Sequence, residues 1–338
     1  MFLRILGLLF ALTLIINFES VAQVLKSEFI FQEAPFPSCH ASTICATSQG
    51  YLVAWFGGTH EKHQDVGIWI SRMADDDQWT EPVEVADGIQ HADKRYPCWN
   101  PVLYRQPSGT ISLYYKVGPN PREWWGMLIE STDEGKTWTV PRRLPEDILG
   151  PVKNKPLALA DGSLIHPSST EHNGWKIHME ISDINGMNWT RIGPIDGDSI
   201  DAIQPTILEH SEGLQILCRS KTNGIVESWS RDGGHSWSEL TPTGLPNPNS
   251  GIDGVTSNRG RQFLVYNPTS TTEGQWGGER YPLVLAASDD GRMWEVLVTL
   301  ESEPGEYSYP AIIQGLDGNL HITYTWKRDK IKHVVYRP

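Results

Sequence analysis

A short segment that ends in tryptophan recurs along the chain and limits the folds open to it. The best copies, STDEGKTW, SRDGGHSW and ASDDGRMW, end at Trp138, Trp237 and Trp294, and looser copies end at Trp79 and Trp189. These tryptophans lie 59, 51, 48 and 57 residues apart, which is typical of propellers built from small antiparallel sheets. Aspartate and serine bond to nearby backbone groups, and glycine takes a positive φ. We therefore interpret the repeat as a structural turn, whose tryptophan packs at a blade edge away from any site.

A second repeat predicts the number of blades. Each copy has a polar residue, usually followed by proline, then an apolar strand, a glycine-containing turn and a second apolar strand. The copies begin at His40, Asn100, Lys155, Gln204, Asp253 and Tyr309. Six copies with almost no helical periodicity predict an all-β chain folded as a six-bladed β-propeller. The segment SEFIFQ near the start is expected to pair with KHVVYRP at the end, which would close the ring and leave no open sheet edge.

The first 23 residues differ from the rest. One arginine precedes an apolar run that is too short to span a bilayer comfortably, so residues 1–23 are interpreted as a secretory signal peptide, with an N-terminal membrane anchor as the alternative. Residues 24–338 would then be a single propeller domain in the periplasm or outside the cell, with no stable membrane insertion. The net charge of −13 argues against nucleic acid as a partner.

The cysteines and the metal-binding motifs predict little. Four cysteines are too few for a disulfide scaffold in a chain of 338 residues, although one bridge remains open. They are Cys39, Cys45, Cys98 and Cys218. No metal motif occurs, so neither a metal nor another cofactor is predicted.

The blade repeat also predicts a site. Equivalent positions in radial repeats lie at equivalent heights around the axis, so the six residues that begin the copies would form one polar ring. The far ends of the hairpins would form a second ring of Lys116, His166, Arg219, Asn267 and Trp326. Cationic side chains at the centre of an acidic protein suggest a small anionic ligand. For any one of these residues, the alternative is a solvated strand end.

The chain resembles the sialidase (neuraminidase) superfamily, in its secreted bacterial branch with Asp-box or BNR repeats. CRSKTNGIVESWSRDGGHSW is similar to a segment that supplies a substrate-binding arginine, here Arg219. NPTSTTEGQWGGERYPLVLAASDDG resembles the segment with another, here Arg280. GEYSYPAIIQGLDG resembles the segment with the tyrosine nucleophile, here Tyr307. The resemblance implies a six-bladed propeller that acts on glycans.

Three departures from the family pattern bear on the chemistry. The family's Arg-Ile-Pro stretch is replaced by SCHAST, with Cys39 and His40, so one of three carboxylate-binding arginines is missing there. The glutamate that assists the tyrosine is replaced by Gln204. The acid/base aspartate has no clear counterpart, and Glu61 and Asp65 are the nearest candidates.

The remaining groups fit two reactions. Arg219 and Arg280 are expected to converge on one pocket and bind the carboxylate of a uronic or sialic acid. Elimination needs a base for the neighbouring C–H proton and an acid for the departing oxygen, which His40 and Tyr307 could divide. We slightly favour a lyase or dehydratase that acts at the non-reducing end of uronate-bearing oligosaccharides during polysaccharide degradation. The alternatives are a sialidase-like hydrolase with a tyrosine nucleophile and a non-catalytic glycan-binding propeller.

Other polar and aromatic stretches are secondary candidates. Glu171 and His172 form a possible second acid/base pair, or are solvated loop residues. Trp124 and Trp125 could form a sugar-stacking platform or pack between blades. Trp99 is expected to pack.

Overall fold

The computed structural model of the protein describes residues 23–73, 77–197, 199–272 and 275–338. The predicted signal peptide, and the membrane anchor that is its alternative, lie outside these ranges except for Gln23. All regular elements within the ranges are β-strands, which confirms the prediction of an all-β chain. None of the described residues belongs to a helix long and apolar enough to cross a membrane.

Six four-stranded sheets form the blades of a six-bladed β-propeller, as predicted. Blade 1 contains β2 (Ser38–Ala46), β3 (Tyr51–Gly58), β4 (Gly67–Arg72) and β5 (Val83–Ala86), and is followed by a small hairpin of β6 (Ile89–His91) and β7 (Lys94–Arg95). Blade 2 contains β8 (Cys98–Arg105), β9 (Ile111–Val117), β10 (Trp125–Ser131) and β11 (Arg142–Arg143). Blade 3 contains β12 (Leu157–Ala158), β13 (Leu164–Thr170), β14 (Lys176–Ser182) and β15 (Trp189–Ile195).

The second half of the ring repeats this plan. Blade 4 contains β16 (Ala202–His210), β17 (Gly213–Ser220), β18 (Gly224–Ser230) and β19 (Thr241–Pro246). Blade 5 contains β20 (Asp253–Thr256), β21 (Gln262–Tyr266), β22 (Leu283–Ser288) and β23 (Glu295–Glu301). Blade 6 contains β24 (Tyr307–Gln314), β25 (Leu320–Trp326) and β26 (Lys330–Arg337), with β1 (Gln23–Phe29) as its outer strand.

The ring closes through blade 6, as the two terminal segments predict. Strand β1 pairs antiparallel with β26, from Gln23 opposite Arg337 to Phe29 opposite Lys332. Because the outermost strand of the blade comes from the other end of the described chain, unrolling the ring would require breaking this ladder.

The turns that end in tryptophan are structural. In the copy before Trp138, the Ser131 hydroxyl accepts a hydrogen bond from the Gly135 amide at 2.8 Å, and Asp133 accepts one from the Thr137 amide at 2.8 Å. Gly135 has φ +77°, and a Cβ there would come within 2.9 Å of Leu52 in blade 1, so glycine is required. All five tryptophans pack against hydrophobic clusters between neighbouring blades, as expected: Trp79, Trp138, Trp189, Trp237 and Trp294.

A repeated bulge interrupts the innermost strand of four blades. The strand register shifts between His40 and Thr43 in blade 1, and in the same way in blades 2, 4 and 6. Each bulge contains one residue with positive φ, and these residues are Ala41, Asn100, Gln204 and Tyr309. The predicted polar ring is therefore wrong at His40, because Ala41 is the residue in the equivalent position. Blade 3 also departs from the predicted ring, because the residue with positive φ there is Lys153, at +78°, and not the predicted Lys155.

Candidate functional site

The centre of the propeller holds a cluster around Arg219, at the end of β17. Its guanidinium donates from Nε and Nη2 to Asn249 Oδ1, at 3.1 and 2.9 Å, and from Nη1 to the Tyr309 hydroxyl oxygen at 3.0 Å and to Gln204 Oε1 at 3.3 Å. Gln204 Nε2 donates to the same tyrosine oxygen at 3.2 Å. Gln204 and Tyr309 face Arg219 because each occupies the positive-φ position of its blade's bulge. Three predicted residues thus meet in one place.

His40 lies beside this cluster as a buried, neutral base. It is 2% exposed, its ring centroid is 4.2 Å from that of Tyr309, and its Nδ1 has no hydrogen-bond partner among the described residues. Burial lowers the pKa of His40 well below its usual value, and the charges of Arg328, Arg280, Arg219 and Lys153 lower it further. The imidazole is therefore uncharged at neutral pH.

Two more guanidiniums lie near His40. Arg280 Nη1 and Arg328 Nε both donate to Glu306 Oε1, at 2.9 and 2.7 Å, and Arg328 Nη1 donates to Glu61 Oε2 at 2.6 Å. Burial raises the pKa of Glu306, but Arg328 and Arg280 outweigh this effect and lower it overall. The charges of Arg219 and Arg280 both act on His40, which places the two predicted arginines around one centre.

Arg328 is a site residue that the sequence analysis missed. It lies in the turn after β25, with φ +65°, and its carbonyl oxygen accepts a hydrogen bond from the Cys39 amide at 2.8 Å. Cys39 stands where the family pattern places an arginine on blade 1, so blade 6 supplies a guanidinium beside that position. The available signal was the cationic WKRDK turn directly after an inner hairpin.

Glu171 stands at the edge of the cluster. Its Oε2 accepts a hydrogen bond from Trp175 Nε1 at 3.0 Å, and the Arg219 guanidinium carbon lies 5.2 Å from the centroid of the Trp175 ring. Burial raises the pKa of Glu171, although Trp175 and nearby cations oppose the shift. A carboxyl group of this kind holds its proton to higher pH than a solvated one and can serve as an acid.

A buried lysine lies next to the cluster. Lys153 is fully buried, and its Nζ donates to the Ile252 carbonyl at 2.6 Å, to Asn154 Oδ1 at 2.8 Å and to the Pro310 carbonyl. Burial lowers the pKa of Lys153 to about 7. Asn154 Nδ2 in turn donates to the Gln204 carbonyl at 3.0 Å. Lys153 thus joins blades 3, 5 and 6 and supports the bulge that carries Gln204.

The structure places Tyr307 elsewhere than predicted. Its side chain is 1% exposed and packs in the hydrophobic cluster between blades 5 and 6, with Phe263, Leu283 and Tyr324. Burial and the nearby acids Glu301 and Glu303 raise its pKa. Tyr309, two residues later, is the tyrosine that contacts Arg219. In a regular strand Tyr307 and Tyr309 would face the same side, but the bulge between Ser308 and Ala311 turns Tyr309 inward.

Four other predicted residues have internal partners. Lys116 is fully buried between blades 2 and 3 and donates to the Pro151 carbonyl at 2.8 Å. Lys155 pairs with Asp253 at 2.9 Å, and Asp253 also accepts from the Thr206 hydroxyl and the Ile312 amide. The buried His166 hydrogen-bonds to the Ser182 hydroxyl at 2.9 Å. These contacts assign the four side chains to packing between blades, which corrects the prediction that they bind substrate.

The remaining predicted residues divide between the site and the rim. Asn100, 5% exposed, has the bulge conformation in blade 2. Asn267 is tied to the Pro282 and Tyr307 carbonyls. Asp65 is exposed and pairs with His63 at 2.7 Å. His172, although adjacent to Glu171, lines a different cleft, so the two do not form an acid/base pair.

All four cysteines are buried and free. In the part of the chain that the structure describes, no group of three histidine, cysteine, aspartate or glutamate side chains could hold a metal ion.

The Asp-box turns, the six blades and the cationic centre define a sialidase-like propeller. Residues 50–322 match the family of BNR repeat-like domains, and the chain belongs to this family. It is similar to the anhydrosialidase of Macrobdella decora, with 23% identity over 230 residues, which is 60% of this chain but 30% of that protein.

Two solved structures have the same fold. A protein of unknown function from Dyadobacter fermentans is 15% identical with a TM-score of 0.75, over 94% of this chain and 99% of that one. The Hadza microbial sialidase Hz136 is 18% identical with a TM-score of 0.72, over 91% of this chain and 67% of that one. The two structures confirm the predicted fold, and the family match confirms the predicted BNR-repeat superfamily.

Proposed function

We propose that the protein is a carbohydrate-active enzyme that binds the carboxylate of an acidic sugar at the central cluster and cleaves the adjacent glycosidic bond by elimination. The observation that carries the proposal is the arrangement of Arg219, Arg280 and Arg328 around His40 and Tyr309. Guanidinium groups bind carboxylates in a fork geometry. Their concentration in a protein of net charge −13 favours an anionic oligosaccharide as the partner.

Elimination uses the groups in distinct roles. The arginines neutralise the uronate carboxylate, which makes the proton on the neighbouring carbon C5 more acidic. The reaction requires Tyr309 in its deprotonated form to take this proton, and hydrogen bonds from Arg219 Nη1 and Gln204 Nε2 hold its oxygen in place. The C5–H electrons form the C4–C5 double bond, the glycosidic bond between C4 and its oxygen breaks, and the sugar carried on that oxygen leaves as its hydroxyl with a proton from Glu171. His40 packs against Tyr309 and stays neutral, so it positions the phenol without repelling the arginines.

Hydrolysis is the second candidate, favoured by the relatives. The Macrobdella decora protein is named an anhydrosialidase, and Tyr309 and Glu171 could act as nucleophile and acid. However, Gln204 rather than a carboxylate contacts the Tyr309 oxygen, so the glutamate that assists a tyrosine nucleophile in the sialidase family has no counterpart at this position. Elimination therefore fits the available groups better. The apolar N-terminal segment supports the further proposal that the enzyme acts in the periplasm or outside the cell, in polysaccharide degradation.

One experiment separates the reactions. The purified protein is incubated with uronate-terminated oligosaccharides, whose uronate stands at the reducing end and carries the next sugar on O4, and with sialyl-lactose. Products are followed by ultraviolet absorbance and mass spectrometry. Elimination gives an absorbing unsaturated uronate and adds no water, whereas hydrolysis adds one water to the products. Saturated products from either substrate would overturn elimination. If the protein binds either substrate without turning it over, the result would instead support a non-catalytic glycan-binding propeller.

A further inference from the structure

A cleft separate from the central cluster lies between blades 2 and 3, with a volume of about 170 Å³. Its lining includes Trp124, Trp125, Arg143, Thr170, His172 and Arg191. Thr170 ends β13 just as Ser220, next to Arg219, ends β17. Because equivalent strand ends of a propeller lie on one face, the cleft opens on the face that carries the central cluster.

The cleft has polar groups without internal partners. The indole nitrogens of Trp124 and Trp125 are shielded from solvent, yet neither has a hydrogen-bond partner among the described residues. Buried donors are normally paired, so two unpaired ones beside a cleft indicate a missing acceptor. The Arg143 guanidinium carbon lies 4.9 Å from the centroid of the Trp125 ring.

The charged groups of the cleft are also available to a ligand. Within the described ranges, the guanidiniums of Arg143 and Arg191 form no ion pair or side-chain hydrogen bond. Glu146 and Asp147 line the same cleft and form no ion pair with either arginine. Donors and acceptors placed together beside an aromatic face suit the hydroxyl groups and ring of a pyranose.

The cleft and the central cluster meet at one hairpin end. Glu171 faces Trp175 and the central cluster, whereas the next residue, His172, lines the cleft. Consecutive Cα atoms are about 3.8 Å apart, so one short oligosaccharide can occupy both places.

We propose that this cleft is a second sugar-binding site, which holds a pyranose beyond the two that flank the scissile bond of the same acidic oligosaccharide. The proposal rests on the proposed function, because the uronate is taken to lie at the central cluster. Trp125 offers a ring face and an N–H donor, Arg143 and Arg191 donate to hydroxyl or carboxylate oxygens, and Glu146 and Asp147 accept from hydroxyls.

The test compares chain lengths. The double variant Arg143→Gln, Arg191→Gln is assayed on a uronate-terminated disaccharide and on the matching tetrasaccharide. We expect the KM for the tetrasaccharide to rise about tenfold, with kcat for both substrates and the KM for the disaccharide changed less than about twofold. Trp125→Phe, which keeps the ring but loses the N–H, should raise the tetrasaccharide KM about threefold to fivefold.

A matched control has the same change of charge on the opposite face. Arg259 and Arg337 line a different cleft, between blades 5 and 6, and the double variant Arg259→Gln, Arg337→Gln should match the wild type on both substrates. An unchanged tetrasaccharide KM in the Arg143, Arg191 variant would overturn the second site and leave the proposed function intact.

A wild type that turns over neither substrate would refute the proposed function alone. The second site is then tested by calorimetric titration with the tetrasaccharide. Weaker binding only in the Arg143, Arg191 variant would support the site, and equal binding or no binding would overturn it.

Discussion

Replacing Arg219 by lysine tests the central cluster most directly, because lysine keeps the positive charge but lacks the planar guanidinium, which donates several hydrogen bonds in fixed directions. The guanidinium makes two hydrogen bonds to Asn249 and one to Tyr309, and a single ammonium cannot reach all of them with that geometry. A hydrogen bond to a charged group contributes about 1.5–3 kcal/mol. Loss of two contacts made in the transition state, to Tyr309 and to the substrate carboxylate, therefore costs about 3–6 kcal/mol. This corresponds to a fall in kcat/KM of about two to four orders of magnitude.

The assay is steady-state turnover of the uronate-terminated substrate, with the melting temperature measured alongside. Arg231→Lys is the matched control, since Arg231 lies in an exposed ion pair with Glu212 in the same blade and should leave turnover unchanged. If the Arg219→Lys variant is folded and its kcat/KM falls less than tenfold, the role of the guanidinium geometry is refuted.

Three further changes have expected outcomes. Tyr309→Phe should lower kcat at least about a hundredfold, whereas Tyr307→Phe should retain turnover, and the opposite ranking would restore the predicted Tyr307. Glu171→Gln should lower kcat about a hundredfold and remove the alkaline decline of the pH–rate profile, since the raised pKa of Glu171 belongs to a group that must be protonated. Burial raises the pKa of Glu28, but hydrogen bonds from His333 and other neighbours lower it overall to about 2, from 4.5. Its stabilisation is therefore present above pH 4.5 and lost as the pH falls through about 2. Glu28→Gln should lower the free energy of unfolding by about 1–2 kcal/mol at pH 7, after allowance for solvent exposure, and by less at pH 3 in urea titrations.

Local signals were sufficient to predict the fold. The turn before Trp138 depends on hydrogen bonds within eight residues, Ser131 to Trp138. It can therefore be predicted from the local sequence, without knowledge of the tertiary structure. The alternation of apolar strands and glycine turns fixed the blade number for the same reason. Ring closure was also predictable, because only the two terminal segments lacked a partner strand.

The site depended on details that a linear pattern does not contain. A bulge inserts residues into one strand without changing its composition, so the repeat placed His40 in the ring position that Ala41 occupies. For the same reason, the sequence analysis predicted Tyr307 at the site, whereas the bulge places Tyr309 there. Arg328 was missed because its role arises from a contact between two blades, made by its carbonyl with the Cys39 amide. Lys116 and His166 were taken for ligands of the centre because burial between blades cannot be read from residue type.

The bulges also explain why the fold predicts the reaction poorly. In blades 4 and 6 the positive-φ residue is Gln204 or Tyr309, and its side chain faces the axis while the strand pairing resumes on both sides. A substitution there changes the chemistry of the centre and leaves the blade's core and its Asp-box turn untouched. Arg328 lies in a turn outside the paired strands, so a substitution of its side chain would also leave the strand pairing unchanged. The residues that hold the propeller together are thus different from those that face the axis, so a chain can keep the sialidase-like fold while the groups around its arginines change.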